Sequence, residues 1–234
     1  MFQVIPLLMA GWLLVGNGVC MDLSGANLRD DFETSEPGKA PAGYQVGRTG
    51  SGRPGRWVIR TVQDAPSGHQ VLVQEDADDT NYRFPVAIIE GFTAADLVLS
   101  VRFRPISGSV DQAAGLVWRF RDTENYYVVR ANALENNVVL YKVEGGRRRD
   151  LKPVGADRSA YGKRVQIESG HWSQLEVRAQ GTRLQVRLNG SALFEVVDET
   201  FTTEGQVGLW TKADSVTQFD DLRVESLDSA APIR

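Results

Sequence analysis

The sequence predicts an all-β fold, an antiparallel two-sheet jelly-roll β-sandwich. From residue 28 onward apolar and polar residues alternate with a period of two, and no long stretch repeats apolar residues at helical spacing. Turn residues (Gly, Pro, Asn and Asp) interrupt the alternation about every eight to twelve residues, which is typical of an antiparallel sandwich or barrel. No repeat of about 20 to 50 residues is visible, so a propeller or solenoid is not expected.

The N-terminal segment is predicted to be a leader. Residues 2–19 are almost entirely apolar and end in small or polar residues before Cys20. This composition is typical of an export signal peptide, but no Lys or Arg precedes the apolar run, so an uncleaved signal anchor is the alternative. We therefore expect a signal peptide or anchor over residues 1–20 and a single domain over residues 21–234. The protein is expected to be secreted, periplasmic or held at the cell envelope.

Strands are predicted wherever the alternation is clearest. These runs cover residues 97–104, 116–121, 126–132, 138–143, 172–179, 183–188, 192–197, 207–212 and 218–224. Asn189-Gly190, between two of the runs, predicts a tight two-residue hairpin turn. The Gly- and Pro-rich region 35–55 is expected to cross the surface, with one short strand near Tyr44.

Composition and charge narrow the classes of partner. The 234-residue chain has a formal net charge of −4 and a pI near 5.3, so no broad basic field attracts nucleic acid or an anionic membrane surface. Three consecutive arginines at 147–149 follow two glycines, which predicts a solvated hairpin tip. Cys20 is the only cysteine, so neither a disulfide nor a cysteine nucleophile is expected in the domain.

Several strand sequences resemble the concanavalin A-like jelly rolls. They are DFE at 31–33, GLVWRF at 115–120, NYYVVR at 125–130, WSQLEV at 172–177, GQVGLW at 205–210 and FDDL at 219–222. The resemblance covers nearly all of the chain after the leader and is closest to the laminin-G-like and 3-keto-disaccharide-hydrolase-like branch. That superfamily includes lectins, glycan-binding modules and glycoside hydrolases, so the resemblance implies a connection with sugars.

Strand alternation predicts which side chains face the core and which face a ligand. The predicted core residues are Leu116, Trp118, Phe120, Tyr127, Val129, Tyr141, Val143 and Leu209. The residues predicted to line an exposed concave groove are Arg119, Arg121, Tyr126, Arg130, Asn132, Lys142, Trp210 and Lys212. Aromatic rings with guanidinium, amide and ammonium groups are the chemistry that binds sugars, whereas a solvated sheet face is the alternative interpretation.

No catalytic carboxyl pair is recognisable. Family 16 glycoside hydrolases of this fold carry their acids as Glu-x-Asp-x-x-Glu or Glu-x-Asp-x-Glu on one strand. The nearest match is Glu195 followed by Asp198 and Glu199, whose spacing is wrong. The catalytic residues are therefore unknown, and it stays open whether the protein is an enzyme.

Other side chains with catalytic chemistry are few. The acids Glu90, Glu124 and Glu135 lie at predicted strand ends or in loops, and none has a partner visible in the sequence. The only histidines are His69 and His171, too few for a catalytic zinc site, which generally takes three protein ligands.

The resemblance also implies a structural calcium ion between the N- and C-terminal strands. Asp31, Asp220 and Asp221, with Asp30, are the predicted ligands, because calcium prefers carboxylate and carbonyl oxygens. A second acidic stretch at 76–81 does not have the spacing of a helix-loop-helix calcium site. Solvated turn acids are the alternative interpretation for both groups.

Three functions are compatible with these features. The first is an exported domain that binds an oligosaccharide or polysaccharide on its concave face. The second is a hydrolase acting on a glycoside such as a 3-keto-disaccharide, and the third is a laminin-G-like protein-interaction domain. Nucleic acid is not an expected partner, and no membrane contact is expected beyond an N-terminal anchor. The sequence does not determine the oligomeric state.

Overall fold

The computed structural model describes residues 12–15, 19–22 and 27–227, and these residues form two antiparallel sheets packed as a sandwich. The described residues contain eighteen strands and no helix, which confirms the predicted fold class. Consequently none of the described segments is a helix long and apolar enough to cross a membrane. Most of the predicted leader lies outside the described residues, and its two described segments pair as the first two strands.

The strands in chain order are β1 (Trp12–Val15), β2 (Val19–Asp22), β3 (Asn27–Asp30), β4 (Tyr44–Gly50), β5 (Trp57–Thr61), β6 (Gln70–Gln74), β7 (Arg83–Ile89), β8 (Leu97–Ser107), β9 (Ala113–Asp122), β10 (Asn125–Asn132), β11 (Asn137–Glu144), β12 (Arg147–Asp150), β13 (Lys163–Arg164), β14 (Ser173–Gln180), β15 (Arg183–Leu188), β16 (Ser191–Val197), β17 (Gln206–Trp210) and β18 (Val216–Ser226). The strands β5, β6, β7 and β12 were not among the predicted runs. The predicted hairpin turn between β15 and β16 is confirmed, because Asn189 and Gly190 both have positive φ, 49° and 77°.

The two sheets differ in size and curvature. The ten-stranded sheet has the order β1-β2-β3-β18-β8-β14-β15-β16, with β6 beside β18 and β5 beside β6. The eight-stranded sheet has the order β12-β11-β10-β9-β17-β7-β4, with β13 beside β11. Because strands distant in sequence are neighbours in both sheets, the fold depends on long-range pairing.

Side chains between the two sheets form the main core. Alternation along β14 and β15 places every second residue in this core and the others toward solvent, as the pattern predicted. The predicted core residues that lie there are Leu116, Trp118, Tyr127, Val129 and Leu209. The main core therefore follows directly from the period-two pattern.

A β-bulge in β9 interrupts the alternation after Trp118. Arg119 has a φ of 48°, and β9 changes register against both β10 and β17 next to it. The irregularity turns the Phe120 ring to the opposite face of the sheet. The assignment of Phe120 to the main core is therefore wrong, because an arginine gives no sequence signal for a bulge.

The eight-stranded sheet curls until its edge strand β4 contacts β10, and we call its enclosed side the concave face. The Tyr126 hydroxyl on β10 lies 2.7 Å from the Thr49 hydroxyl on β4, and the Tyr82 hydroxyl donates to the Gly146 carbonyl at 3.1 Å. The apolar cluster inside this curl comprises Phe84, Val86, Ile88, Ala113, Val117, Phe120, Tyr126, Val128, Val139, Tyr141, Val143 and Trp210. The central strands are thus buried on both faces.

The assignment of Tyr141 and Val143 to the main core is wrong, since both lie on the concave face. Residues 138–143 are nearly all apolar, so their sequence does not indicate which set faces which side. Their orientation is set by pairing, because Tyr141 lies opposite Val128 and Val143 lies opposite Tyr126.

Candidate functional site

The centre of the concave face is an aromatic floor covered by an arginine. The Trp210 ring stacks on Phe84 with centroids 5.3 Å apart. The Arg148 guanidinium, from β12, lies 4.6 Å from the Phe84 ring centre and 4.4 Å from that of Tyr141. Arg148 therefore covers rings that would otherwise form an open aromatic surface.

A glycine makes room for the Trp210 indole on this floor. Gly115 of β9 lies opposite Trp210 of β17 in the sheet register. A Cβ at Gly115 would stand 2.9 Å from the Val129 carbonyl oxygen and 3.1 Å from a ring carbon of Trp210. The close packing of the indole against β9 therefore requires a residue without a side chain.

At one end of the concave face, where β9 begins and β10 ends, charged and amide side chains gather in a polar group. We call it the Arg130 cluster, and its members are Asp111, Arg130, Asn132, Glu135, Asn137 and Lys212. All except Glu135 and Lys212 are buried. Burying so many charges is costly unless they are paired, so their arrangement requires close inspection.

Arg130 holds Glu135 through two parallel hydrogen bonds. Its Nη1 donates to Oε1 at 3.1 Å and its Nη2 donates to Oε2 at 2.7 Å. Nη2 also donates to Asn137 Oδ1 at 2.7 Å, and Asn137 Nδ2 donates back to Glu135 at 3.0 Å. The Glu135 side chain is 37% exposed, so one carboxylate is held rigidly at the surface of a buried network.

Asp111 links the two ends of the cluster. Asn132 Nδ2 donates to Asp111 Oδ1 at 2.6 Å and to Glu135 Oε1 at 3.2 Å. The Lys212 ammonium forms an ion pair with Asp111, while Arg130 Nη1 lies 3.9 Å from the same carboxylate. Two cations thus flank a fully buried carboxylate.

The environment shifts the two carboxyl groups in opposite directions. Burial raises the pKa of Asp111 above its ordinary value, although the hydrogen bond and charge of Lys212 act against it. Burial also acts to raise the pKa of Glu135, but the hydrogen bond and charge of Arg130 outweigh it and hold that pKa below its ordinary value. Glu135 is therefore an ionised hydrogen-bond acceptor at neutral pH.

Two further features of the cluster are an aromatic ring at its surface and a buried donor. The Tyr161 ring is 42% exposed, its hydroxyl bonds to that of Tyr141, and Arg130 lies 5.8 Å from its centre. Arg130 Nε is buried and has no hydrogen-bond partner among the described residues. The cluster thus combines fixed acceptors, cationic donors and a surface aromatic ring, a combination that suits a hydroxyl-rich molecule.

The loop containing Lys212 is fastened to the loop containing Asp111. Asp214 accepts hydrogen bonds from the backbone N–H groups of Ser109, Val110 and Asp111, at 2.5, 3.1 and 3.0 Å. These bonds fix the loop before β9 against the loop after β17. Asp214 therefore positions both members of the Lys212–Asp111 ion pair.

Four of the predicted groove residues lie on the concave face as expected, but they are not exposed. Tyr126, Arg130, Asn132 and Trp210 are all fully buried on the inside of the curled sheet. The prediction of an exposed groove through these residues is wrong in this respect. Arg130 and Asn132, with Lys212 at 13% exposure, nevertheless belong to one cluster.

The remaining three residues of the predicted groove, Arg119, Arg121 and Lys142, lie away from the Arg130 cluster. Lys142 points to the main-core side, where its Nζ donates to Asp198 at 3.1 Å. Arg119 is buried and donates to the carbonyls of Ala95, Phe201 and Gly181, at 2.8, 2.6 and 2.8 Å. Arg121 is exposed at the opposite end of the concave face, beside a groove of about 280 Å³. The predicted convergence of all eight residues is therefore wrong.

The predicted calcium ligands do not fit a metal ion. Among the described residues, no three His, Cys, Asp or Glu side chains are arranged to hold one. Asp30 instead accepts from the Phe32 N–H and the Tyr44 hydroxyl, both at 2.8 Å. Arg29 lies 3.7 Å from Asp31 and 3.6 Å from Asp221, so a cation of the protein already occupies this position.

The acids near β16 do not form a catalytic pair. Asp198 accepts from the Tyr127 hydroxyl at 2.5 Å and from Lys142, whereas Glu195 forms an ion pair with Arg183 and accepts from Gln185. These contacts tie the strand and its following loop to the sandwich. Each carboxylate is therefore paired with other side chains of the sandwich.

Sequence reasoning missed Asp111 and Asn137 and found no partner for Glu135. The signal was the spacing: four polar residues, Arg130, Asn132, Glu135 and Asn137, interrupt the apolar strands on either side of one hairpin. In a two-strand hairpin such residues converge at the tip. Asp111 comes from a different loop, so no local pattern indicates it.

These features describe a jelly-roll sandwich with a polar cluster on the concave side of a curled sheet, and comparison with known proteins identifies its family. The chain belongs to the 3-keto-alpha-glucoside-1,2-lyase-like domain family, whose model matches residues 24–225. This confirms the predicted resemblance and places the chain in a carbohydrate-related family. No curated protein sequence matches the chain significantly.

Many solved structures share the fold, and two of them illustrate the similarity. The carbohydrate binding module CBM66 from Bacillus subtilis matches with a TM-score of 0.54 and 20% identity, over 73% of this chain and 95% of that module. The cellulose induced protein Cip1 matches with a TM-score of 0.60 and 15% identity, over 87% of this chain and 99% of that protein. At these identities the similarity establishes the architecture alone.

Proposed function

We propose that this protein binds a glycan at the Arg130 cluster on the concave face of its curled sheet. The observation that carries the proposal is the surface carboxylate of Glu135, held rigidly by Arg130 and Asn137. A preorganised acceptor loses little side-chain entropy when a ligand hydroxyl donates to it. The family to which the chain belongs supports a sugar as that ligand.

The surrounding groups complete a sugar-binding arrangement. The Lys212 ammonium can donate to ring or hydroxyl oxygens, while the exposed ring of Tyr161 can cover the apolar face of a sugar. Asp214 fixes the Lys212–Asp111 ion pair, because it lies in the loop of Lys212 and accepts from the Asp111 backbone N–H. Both a carbohydrate-binding module and a sugar-cleaving enzyme would use these contacts.

A glycan array followed by calorimetric titration tests the proposal. Glu135→Gln keeps the size of the side chain but removes its charge, so we expect at least about tenfold weaker binding of any glycan that the wild type binds. Glu176→Gln is the matched control, because Glu176 lies on the outer face of the ten-stranded sheet and pairs with Arg187 at 3.6 Å. Equal affinities of the wild type and both variants would overturn this site. Silence of the wild type on every glycan would favour the protein-interaction alternative.

Cleavage of a 3-keto-glycoside is the second candidate function. It is favoured because a carboxylate, an ammonium group and a phenol lie at or beside the Arg130 cluster. In such an elimination a base removes the C2 proton next to the ketone. The electron pair forms a C1=C2 bond as the C1–O bond breaks, and the departing oxygen takes up a proton. Glu135 is the candidate base, Lys212 the cation for the enolate oxygen, and Tyr161 the proton donor.

Methyl 3-keto-α-glucopyranoside is the probe for this second candidate. Release of methanol together with an unsaturated ketone would support elimination, and Glu135→Gln would then abolish turnover while Glu176→Gln would not. Binding of the probe without product formation would leave the protein as a binding module. The two readouts therefore separate recognition from chemistry.

We also propose that the domain acts outside the cytoplasm, on the basis of the apolar segment at residues 2–19. Expression of the full chain followed by fractionation and N-terminal sequencing tests this. A mature protein that begins near Cys20 in the exported fraction is the expected result. Recovery of the uncleaved chain in the cytoplasmic fraction would contradict it.

A further inference from the structure

Positive charge is concentrated in one short segment of the chain. Residues 147–164, here called the basic edge, contain seven Lys or Arg and two Asp, a net charge of +5. Because the whole chain carries −4, the remaining residues together carry −9. Such segregation creates a local positive potential on a protein that is negative overall.

The basic edge runs along one complete side of the concave face. Its first part, β12, pairs with one end of β11, and its last part, β13, pairs with the other end. The exposed ring of Tyr161, beside the Arg130 cluster, belongs to the same segment. Charges on this edge therefore extend from the proposed glycan site along the length of β11.

Most of these charges are not neutralised by the protein. Among the described residues, the ion pairs of the segment are Arg149 with Glu144 at 3.9 Å and Lys152 with Asp150 at 2.6 Å. The cationic side chains without a carboxylate partner in that part of the chain are Arg147, Arg148, Arg158, Lys163 and Arg164. Except for Arg148, which leans over the aromatic floor, they are exposed.

Protection of an edge strand does not account for this concentration. Charged residues on edge strands, lysine especially, prevent unwanted pairing. The opposite edge of the same sheet, β4, carries only Arg48, and β16, an edge of the ten-stranded sheet, carries only Glu195. The accumulation of one sign beside the concave face thus indicates a ligand of the other sign.

We propose that the glycan bound by this protein is an acidic polysaccharide, with its carboxylate or sulfate groups along the basic edge. This inference rests on the proposed function, because it identifies the class of ligand for the Arg130 cluster. Sugar hydroxyls donate to Glu135, while the anionic groups accept from the guanidinium and ammonium groups of residues 147–164.

An acidic glycan fits these groups better than a nucleic acid does. Both are polyanions, but the carboxylate of Glu135 at the centre of the site would repel a phosphate backbone. A polysaccharide presents hydroxyl donors to that carboxylate and anionic groups to the basic edge within the same repeating unit. Hydroxyl and anionic groups lie close together in such a ligand, as Glu135 and the basic edge do in the protein.

The test compares oligosaccharides that differ only in charge. Trimers of galacturonate, mannuronate and glucuronate are titrated against the full chain beside their methyl esters, which keep the backbone and lose the charge. At low salt, at least one acid form is expected to bind about tenfold or more tightly than its ester, and added NaCl should reduce this preference. A short oligothymidylate is titrated in parallel.

Matched charge-removal variants locate the effect. Arg147→Gln with Lys163→Gln removes two charges from the basic edge, whereas Arg183→Gln with Arg187→Gln removes two exposed charges from β15 on the far sheet. We expect the first pair to weaken the preference for the acid form and the second to leave it unchanged. Circular dichroism confirms folding of each variant, and single substitutions replace a pair that does not fold.

Each outcome decides the proposal. Equal binding of acids and esters would overturn it while leaving glycan binding intact. Binding of none of the trimers, acid or ester, would overturn this inference, whereas the proposed function falls only if the glycan array is also negative. Binding of oligothymidylate but not of the uronates would overturn it in favour of a nucleic-acid partner. A preference for acids that is undiminished in the basic-edge variant would also overturn it.

Discussion

The hydroxyl groups of Thr49 and Tyr126 lie 2.7 Å apart although they belong to strands separated by three others in the same sheet. Such a contact is impossible in a flat sheet, where neighbouring strands are about 4.8 Å apart. Thr49 also donates to the Thr123 carbonyl, so β4 is joined to both the β9–β10 turn and β10. The contact therefore maintains the curl that encloses the concave face.

Thr49→Val tests the importance of this contact. The substitution keeps the shape of the side chain but leaves the buried Tyr126 hydroxyl without this partner, so we expect the free energy of unfolding to fall by about 1–3 kcal/mol. Thr202→Val, at an exposed position, is the control and should change stability by less than about 0.5 kcal/mol. Chemical denaturation measures both, and equal stabilities of the two variants would contradict the role of Thr49.

The sequence predicts the parts of the fold that depend on neighbouring residues in one strand. It does not predict the parts that depend on contacts between residues far apart in the chain. Alternation alone assigns Trp118 and Tyr127 to the main core correctly, because successive side chains of a strand point to opposite faces of the sheet. It cannot show that Trp210 is sealed, since that depends on a contact between residues 49 and 126. Nor does it predict the turned ring of Phe120, which follows from an unusual backbone angle at Arg119.

Arg130→Met tests the energetic role of the buried network. Methionine fills a similar volume, but the carboxylates of Glu135 and Asp111 lose a buried cation, so we expect a loss of about 3–5 kcal/mol in the free energy of unfolding. Arg187→Met removes an exposed arginine from an ion pair and should cost less than about 1 kcal/mol. Denaturant titration measures both losses. Similar losses in the free energy of unfolding would show that the buried Arg130 network stabilises the fold no more than an exposed ion pair does.

The sequence likewise predicts only the part of the candidate site that lies on one strand. Arg130 and Asn132 were predicted as ligand-binding residues because they share a strand face with Tyr126, and their ligand-binding role stays a prediction. Their partners come from a hairpin turn and from a separate loop, which Asp214 fastens to the loop of Lys212. Polarity along a strand predicts that a site exists, whereas the loops that complete it are known only from the folded chain.

Gly115→Ala tests the fit of the Trp210 indole. The new methyl group would stand closer to the Val129 carbonyl and the indole than atoms normally approach, so the ring or the strand must shift. We expect a loss of about 1–3 kcal/mol in the free energy of unfolding, together with altered tryptophan fluorescence. Gly47→Ala is a milder control, because its methyl group would meet side-chain atoms at 3.1 Å or more. Identical effects of the two substitutions would contradict tight packing at residue 115.

A buried carboxyl group in β18 predicts how stability depends on pH. Burial raises the pKa of Asp220 from its ordinary value of 3.8 to about 7, although the backbone N–H groups of Ser67 and Asp221 donate to it. The folded state therefore binds this proton more tightly than the unfolded state. It follows that the stabilising contribution of Asp220 is greatest below about pH 4 and is lost as the pH rises to about 7.

Asp220→Asn isolates this effect, because asparagine stays uncharged at every pH. The free energy of unfolding of the variant, relative to that of the wild type, should rise steadily between about pH 4 and pH 8 and then level off. The comparison between the two proteins cancels the opposite trends of carboxyl groups with lowered pKa values, such as Asp198 and Asp214. Asp79→Asn, at an exposed position, controls for the loss of one negative charge. A difference between Asp220→Asn and the wild type that is constant over this range would show that Asp220 titrates alike in the folded and unfolded chains.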